Sequence, residues 1–222
     1  MMKIQILRRS ITVSLLFFWS ILALPAVSHA AYIFDRAWGW GVTDGTSAFQ
    51  ICTSTSTCRA GVAGSGIGQF NSPFGIASDS SGNVYVVDTS NNRIQKFDSS
   101  GTFVSQWGSL GSGNGQLNNP RGIALDSSGN SYVTEVSAAN SRVQKFSSTG
   151  AFLTKWGSLG PGNGQFNLPE GVALESAGNV YVADTSNQRI EKFNSAGTYI
   201  TKWGSAGAGN GQFSGPEAIA ID

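Results

Sequence analysis

The sequence predicts an all-β protein assembled from repeated four-stranded units. Three observations carry that prediction: a repeat of 47 to 49 residues, turn chemistry at fixed places inside each repeat, and an unusual composition. Gly-Gln-Phe/Leu begins at Gly68, Gly115, Gly164 and Gly211. Trp107, Trp156 and Trp203 recur with steps of 49 and 47, and so do Arg93, Arg142 and Arg189. Of 222 residues, 29 are Gly, 13 Phe, 6 Trp and 5 Tyr, while only 12% are charged. Charge-poor, aromatic-rich chains do not match the composition of disorder. Abundant Gly with aromatics and β-branched residues suits short strands joined by tight turns.

Each repeat holds four strand-like runs. In the first full unit they are Phe74–Ser78, Asn83–Asp88, Asn92–Phe97 and Thr102–Trp107. Asp79-Ser-Ser-Gly-Asn83 and Asp98-Ser-Ser-Gly-Thr102 read as hairpin turns, with Gly supplying a positive φ. Asp88 to Asn92 makes the middle connection, and Gly108 to Pro120 links to the next unit. Val84-Tyr85-Val86-Val87 is apolar on both faces, as expected of a strand buried between neighbouring sheets. Four short strands per unit of nearly 50 residues predict a β-propeller of four-stranded antiparallel blades. Whole repeats run over about 68–114, 115–163 and 164–210, so three whole blades are expected, and residues 211–222 begin a further repeat.

Residues 1–30 read as a secretory signal. Lys3, Arg8 and Arg9 precede an apolar run from Ile11 to Leu24, and Ser28-His29-Ala30 offers a small-residue cleavage site before Ala31. The apolar run is short for a membrane span, so no stable span is expected after signal removal. The expected location is secreted, periplasmic or cell-surface. Removal takes the only His and both Met residues and leaves 11 Lys+Arg against 13 Asp+Glu, a net charge of −2. A His-based triad or a His-ligated metal site is then excluded from this chain. A negative chain gives no footing for nucleic acid. Cys52 and Cys58 are the only cysteines; in an exported chain they suit a disulfide staple of a small loop.

Gly68–Asp79, Gly82-Asn-Val-Tyr-Val-Val-Asp88 and Asn92-Arg-Ile-Gln-Lys-Phe97 resemble the NHL repeat, and Gly178–Ile190 is an especially close match. The resemblance covers residues 66–222 and implies a propeller that is six-bladed when complete. It does not imply one function, since related members bind, scaffold or act as lyases. Residues 32–38 align with the fourth strand of a unit and are expected as a lone outer strand, followed by a long loop over 41–67. With three whole blades, the chain reads as a C-terminally truncated piece of a longer propeller. Open blade faces would then invite self-association, including pairing of two half-rings.

Candidate function lies at the end carrying the long loops: the 41–67 loop, the 88–92 and 108–120 type links, and a two-residue insertion at 138–140. One position varies while its neighbours repeat. It follows the Pro that opens each inner strand: Phe74, Arg121, Glu170 and Glu217. These four, with Trp40 on the long-loop side, are the candidate ligand-binding residues; Arg121 beside Glu170 reads alternatively as an inter-blade ion pair. Asp88, Glu135 and Asp184, with Arg93, Arg142 and Arg189, recur in every unit and therefore read as structural, because a catalytic group is needed once. Asp79 and Asp126 lack the further acidic ligands of a calcium loop and read as turns. Gly111–Gly115 has no following Gly-Lys-Ser/Thr and is no phosphate cradle. No catalytic residue, metal ligand or cofactor is assigned. The function expected is an exported binding or scaffold module for a protein or glycan. The alternative is a metal-dependent lyase or lactonase-like propeller whose ligands come from further blades.

Overall fold

The computed structural model describes residues 6–8, 33–40, 49–52, 63–138 and 140–222. The chain divides into two compact units, 1–63 and 64–222. In the first, β1 (Ile6–Arg8), β2 (Ile33–Trp40) and β3 (Phe49–Cys52) form a three-stranded antiparallel sheet in the order β1-β2-β3. Residues 33–38 are therefore not a lone outer strand, and the segment expected as a loop contributes Phe49–Cys52 as their partner. The alternation Phe49, Ile51 supports strand pairing there. Ile6–Arg8 falls inside the segment read as a signal, and residues 9–32 lie outside the described residues. Cys52 ends β3, whereas Cys58 lies outside the described residues, so the staple does too.

The second unit consists of three four-stranded antiparallel blades in simple up-and-down order. The first blade is β4 (Pro73–Ser78), β5 (Val84–Asp88), β6 (Arg93–Phe97) and β7 (Phe103–Trp107). The second is β8 (Pro120–Leu125), β9 (Ser131–Ser137), β10 (Asn140–Phe146) and β11 (Phe152–Trp156). The third is β12 (Pro169–Leu174), β13 (Val180–Asp184), β14 (Arg189–Phe193) and β15 (Tyr199–Trp203). β8 packs against both β4 and β12, which makes the first strand of each blade the inner one. Every residue of β5 is buried, because both faces of a middle strand are covered. The outer strand β7 alternates half-buried and exposed residues until Trp107.

Turn chemistry acts as the sequence predicts. Asp79 Oδ1 accepts the amides of Ser81 (3.0 Å) and Asn83 (2.9 Å), and Gly82 has φ +78°. Asp126 repeats this with Ser128 and Asn130. Their carboxylates are thus held in Asx turns.

Blade-to-blade packing rests on aromatics meeting glycine. Trp107 packs against Tyr85 of its own blade and Phe146 of the next, with ring centroids 6.1 and 6.4 Å apart. Trp156 does the same with Tyr132 and Phe193, at 6.2 and 5.8 Å. Trp203 keeps its own-blade partner, Tyr181, at 6.0 Å, but is 43% exposed. The inner strands approach so closely that a β-carbon on Gly75 or Gly122 would lie 2.3 Å from the carbonyl of Arg121 or Glu170 in the following blade. Hydroxyls bridge the same seams. Thr89 Oγ1 donates to Pro120 O and Thr185 Oγ1 to Pro216 O, both at 2.8 Å. The second blade has Val136 where the others have Thr. There Thr134 Oγ1, two residues earlier, donates to Glu170 O at 2.7 Å and accepts from Gly122 N–H at 2.8 Å.

Candidate ligand-binding face

The four varying positions come together. Each follows a Pro, and in the three blades that Pro opens the inner strand. Gly75 sits against Arg121 O, Gly122 against Glu170 O and Gly171 against Glu217 O, so Phe74, Arg121 and Glu170 stand on consecutive inner strands and Glu217 on the segment beside the last of them. The Arg121 guanidinium lies over the Phe74 ring, 4.5 Å from its centroid, in cation–π contact. Arg121 forms no ion pair with Glu170 among the described residues, which corrects the alternative reading of that pair. Arg121 Nε is buried without a hydrogen-bond partner among the described residues. Burial pushes the Glu170 carboxyl above its ordinary value; the Arg121 charge opposes the shift and the Glu217 charge adds to it. Phe74 and Glu217 are exposed. The row therefore presents an aromatic, a cation and two carboxyl groups, side by side. Trp40 ends β2 opposite Phe49 in the other unit; its side chain lies outside the described residues.

The recurrent acid–arginine pairs are structural. Arg93 Nε meets Asp88 Oδ2 at 2.7 Å, Arg142 Nε meets Glu135 Oε1 at 2.6 Å, and Arg189 Nε meets Asp184 Oδ2 at 2.8 Å. All three acids are fully buried. Each Arg then donates to carbonyls of the link entering its own blade: Ser65, Gly66 and Gln69 for Arg93. Asp88 also accepts from Asn71 N–H and from Asn91. The network ties the long link to the middle of the blade, and its many hydrogen bonds keep a buried ion pair tolerable.

The insertion in the second blade has a geometric effect that the sequence did not reveal. In the first and third blades the middle link is a single 3₁₀ turn, Thr89–Asn91 or Thr185–Asn187. In the second, β9 and β10 lengthen to seven residues each and pair as far as Ser137 and Asn140. This longer hairpin stands beside a cavity of about 370 Å³ whose lining includes Ser112, Asn140, Arg142 and Lys155. The repeat also departs at two other places. Lys155 and Lys202 stand where the first blade has Gln106, and Glu191 stands where the others have Gln95 and Gln144. Aligning the repeats with one another was the signal that could have found them. Among the described residues, no three His, Cys, Asp or Glu side chains are placed to hold a metal ion, and no helix is long and apolar enough to cross a membrane.

Comparison with known proteins places this architecture. The NHL repeat model matches residues 70–97 and 166–193. Over 57 residues the chain is 42% identical to protein lin-41 of Caenorhabditis elegans, covering 26% of this chain and 5% of that protein. Among solved structures it is similar to a streptogramin B lyase, with 24% identity and a TM-score of 0.49, covering 66% of this chain and 44% of that one. It is also similar to Kuenenia stuttgartiensis hydrazine synthase, with 12% identity and a TM-score of 0.50, covering 66% and 38%. At 12% identity the likeness to the hydrazine synthase is one of fold. The chain spans a twentieth of the curated relative and less than half of either solved chain. The two matched segments span the first three strands of the first and third blades, so these segments are NHL repeats folded as β-propeller blades.

Proposed function

We propose that this chain is an exported binding or scaffold module that recognises a protein or glycan through the end of the blades carrying the long links. One observation carries the reading. A closely repeated backbone sets Phe74, Arg121, Glu170 and Glu217 on neighbouring inner segments, and this position changes from aromatic to cation to carboxyl while the Pro before it is kept. A scaffold that repeats its packing and varies one exposed row is built to present that row. Arg121, stacked on Phe74 and only half-buried, puts a cation in the middle of that row for an acceptor on a ligand. Export rests on the signal-like segment of residues 1–30.

The test immobilises the full chain and measures binding to panels of extracellular proteins and glycans. Arg121→Ala and Phe74→Ala are expected to weaken the retained ligand at least tenfold while the melting temperature stays unchanged. A ligand held equally well by both variants, or a loss of binding that follows a loss of stability, overturns the assignment of this row.

A further inference from the structure

We propose that the second blade binds the carboxylate of an acidic sugar in the cavity beside its extended hairpin, with Arg142 and Lys155 as the anion-binding pair. This deepens the reading of the same face as a binding surface and rests on it.

The first argument is a missing acceptor. In the first blade Arg93 Nη1 donates to two oxygens, Ser65 O at 2.7 Å and Gln106 Oε1 at 3.0 Å. In the second blade Arg142 Nη1 donates to Ser112 O at 2.7 Å. The residue in the register place of Gln106 is Lys155, which has no acceptor to offer. Among the described residues one Nη1–H of a side chain only 7% exposed is thus left facing the cavity. An unmatched buried donor is costly, and a ligand oxygen would satisfy it.

The second argument is charge. In the first blade Asp88 offsets Arg93. In the third, Lys202 stands opposite the carboxyl of Glu191, beside the Asp184–Arg189 pair. In the second, Glu135 offsets Arg142, but Lys155 stands opposite the neutral Gln144. Among the described residues no carboxylate lies within ion-pair distance of Lys155. Two cationic side chains therefore line one cavity whose lining holds no carboxylate, and an anion would complete it.

The rest of the lining indicates what carries the anion. Ser112, Ser141 and Ser158 bring hydroxyls, and Asn140 brings an amide whose nitrogen donates to Gly111 O at 3.0 Å and to Glu135 Oε2 at 3.5 Å. Hydroxyl and amide groups that both give and accept hydrogen bonds match the hydroxyls of a sugar ring. A volume of about 370 Å³ lies at the lower end of small-ligand sites, roughly 300–1,000 Å³, and suits a single ring.

The experiment is calorimetric titration of the full chain at pH 7.5 and low salt with glucuronate, with glucose and with a short glutamate-rich peptide. Glucuronate is expected to bind one to one, and glucose at least tenfold more weakly. Lys155→Gln restores the acceptor found in the first blade and removes the charge, so it should weaken glucuronate at least tenfold; Lys155→Ala should do the same by charge alone. Lys202→Gln, in the third blade, should leave binding unchanged. Equal binding of glucose and glucuronate, no response to Lys155→Gln, or preference for the acidic peptide overturns the proposal. Arg121→Ala separates the two readings. If it abolishes capture of the panel ligand while the glucuronate titration is flat, the inner-strand row stands and the cavity assignment falls.

Discussion

Trp156 lies directly over Gly197 of the following blade. A β-carbon on that glycine would come within 2.5 Å of the indole. The same relationship joins Trp107 to Gly150 at 2.8 Å. The repeat thus couples a turn to a blade seam: the residue that must adopt a positive φ to close the hairpin is also the one whose missing side chain admits the tryptophan.

Gly197→Ala should therefore destabilise the protein through two effects at once. The alanine is strained at φ +86°, and its methyl displaces the Trp156 ring. A loss of about 2–4 kcal/mol is expected from overpacking and backbone strain together. Gly211→Ala, where nothing lies within 4 Å of the added carbon but φ is +73°, isolates the backbone part and should cost about 1 kcal/mol. Urea midpoints of the two variants check the difference; equal midpoints would show that the tryptophan seam contributes nothing.

Glu191 gives the third blade a pH dependence. Gln95 and Gln144, in the same place, each accept a glycine amide and donate an amide hydrogen to a link carbonyl and to the blade acid. Glu191 Oε2 accepts Gly164 N–H at 3.1 Å, while Oε1 lies 2.9 Å from Arg189 Nη2 without hydrogen-bond alignment. Only a protonated carboxyl can donate as the glutamines do. Burial pushes the Glu191 carboxyl up to about 7; the charge of Arg189 opposes this, and that of Asp184 adds to it. The folded value is raised above the unfolded one. Its stabilising contribution is therefore complete below about pH 4.5 and is lost as pH rises through 7. Glu191→Gln should match the parent near pH 4.5 and exceed it at pH 8 by on the order of 2–3 kcal/mol. Melting curves at the two pH values measure this; an equal gain at both would place the effect outside titration.

Arg93→Met should be among the most damaging single changes. It leaves the fully buried Asp88 without its cation and frees the carbonyls of Ser65, Gly66 and Gln69. Removing one partner of a buried pair costs about 3–5 kcal/mol. Thermal unfolding of the variant supplies the number, and a loss below about 1 kcal/mol would mean that the network is dispensable.

Periodicity alone determined most of the fold. The spacing of Gly-Gln-Phe/Leu recurs in every blade, and the Asx turns at Asp79 and Asp98 and the doubly apolar run at Val84 specify local geometry, so three blades were legible in the sequence. The structural role of Asp88, Glu135 and Asp184 was legible for the same reason. The 41–67 segment was misread because it falls outside the repeat: without a period, Phe49–Cys52 gives too short a pattern to show that it pairs with β2. At the candidate site, the sequence determined which positions vary but not what each one touches. That Arg121 stacks on Phe74 and does not pair with Glu170 depends on inner strands brought together by glycine, a contact between residues 47 positions apart. Likewise, only strand register sets Lys155 where Gln106 stands one blade earlier, so that Arg142 Nη1 has one acceptor where Arg93 Nη1 has two. Local chemistry fixed the elements; the juxtaposition of charges across blades was decided by packing, because side-chain pairing over such distances follows from register and not from neighbouring sequence.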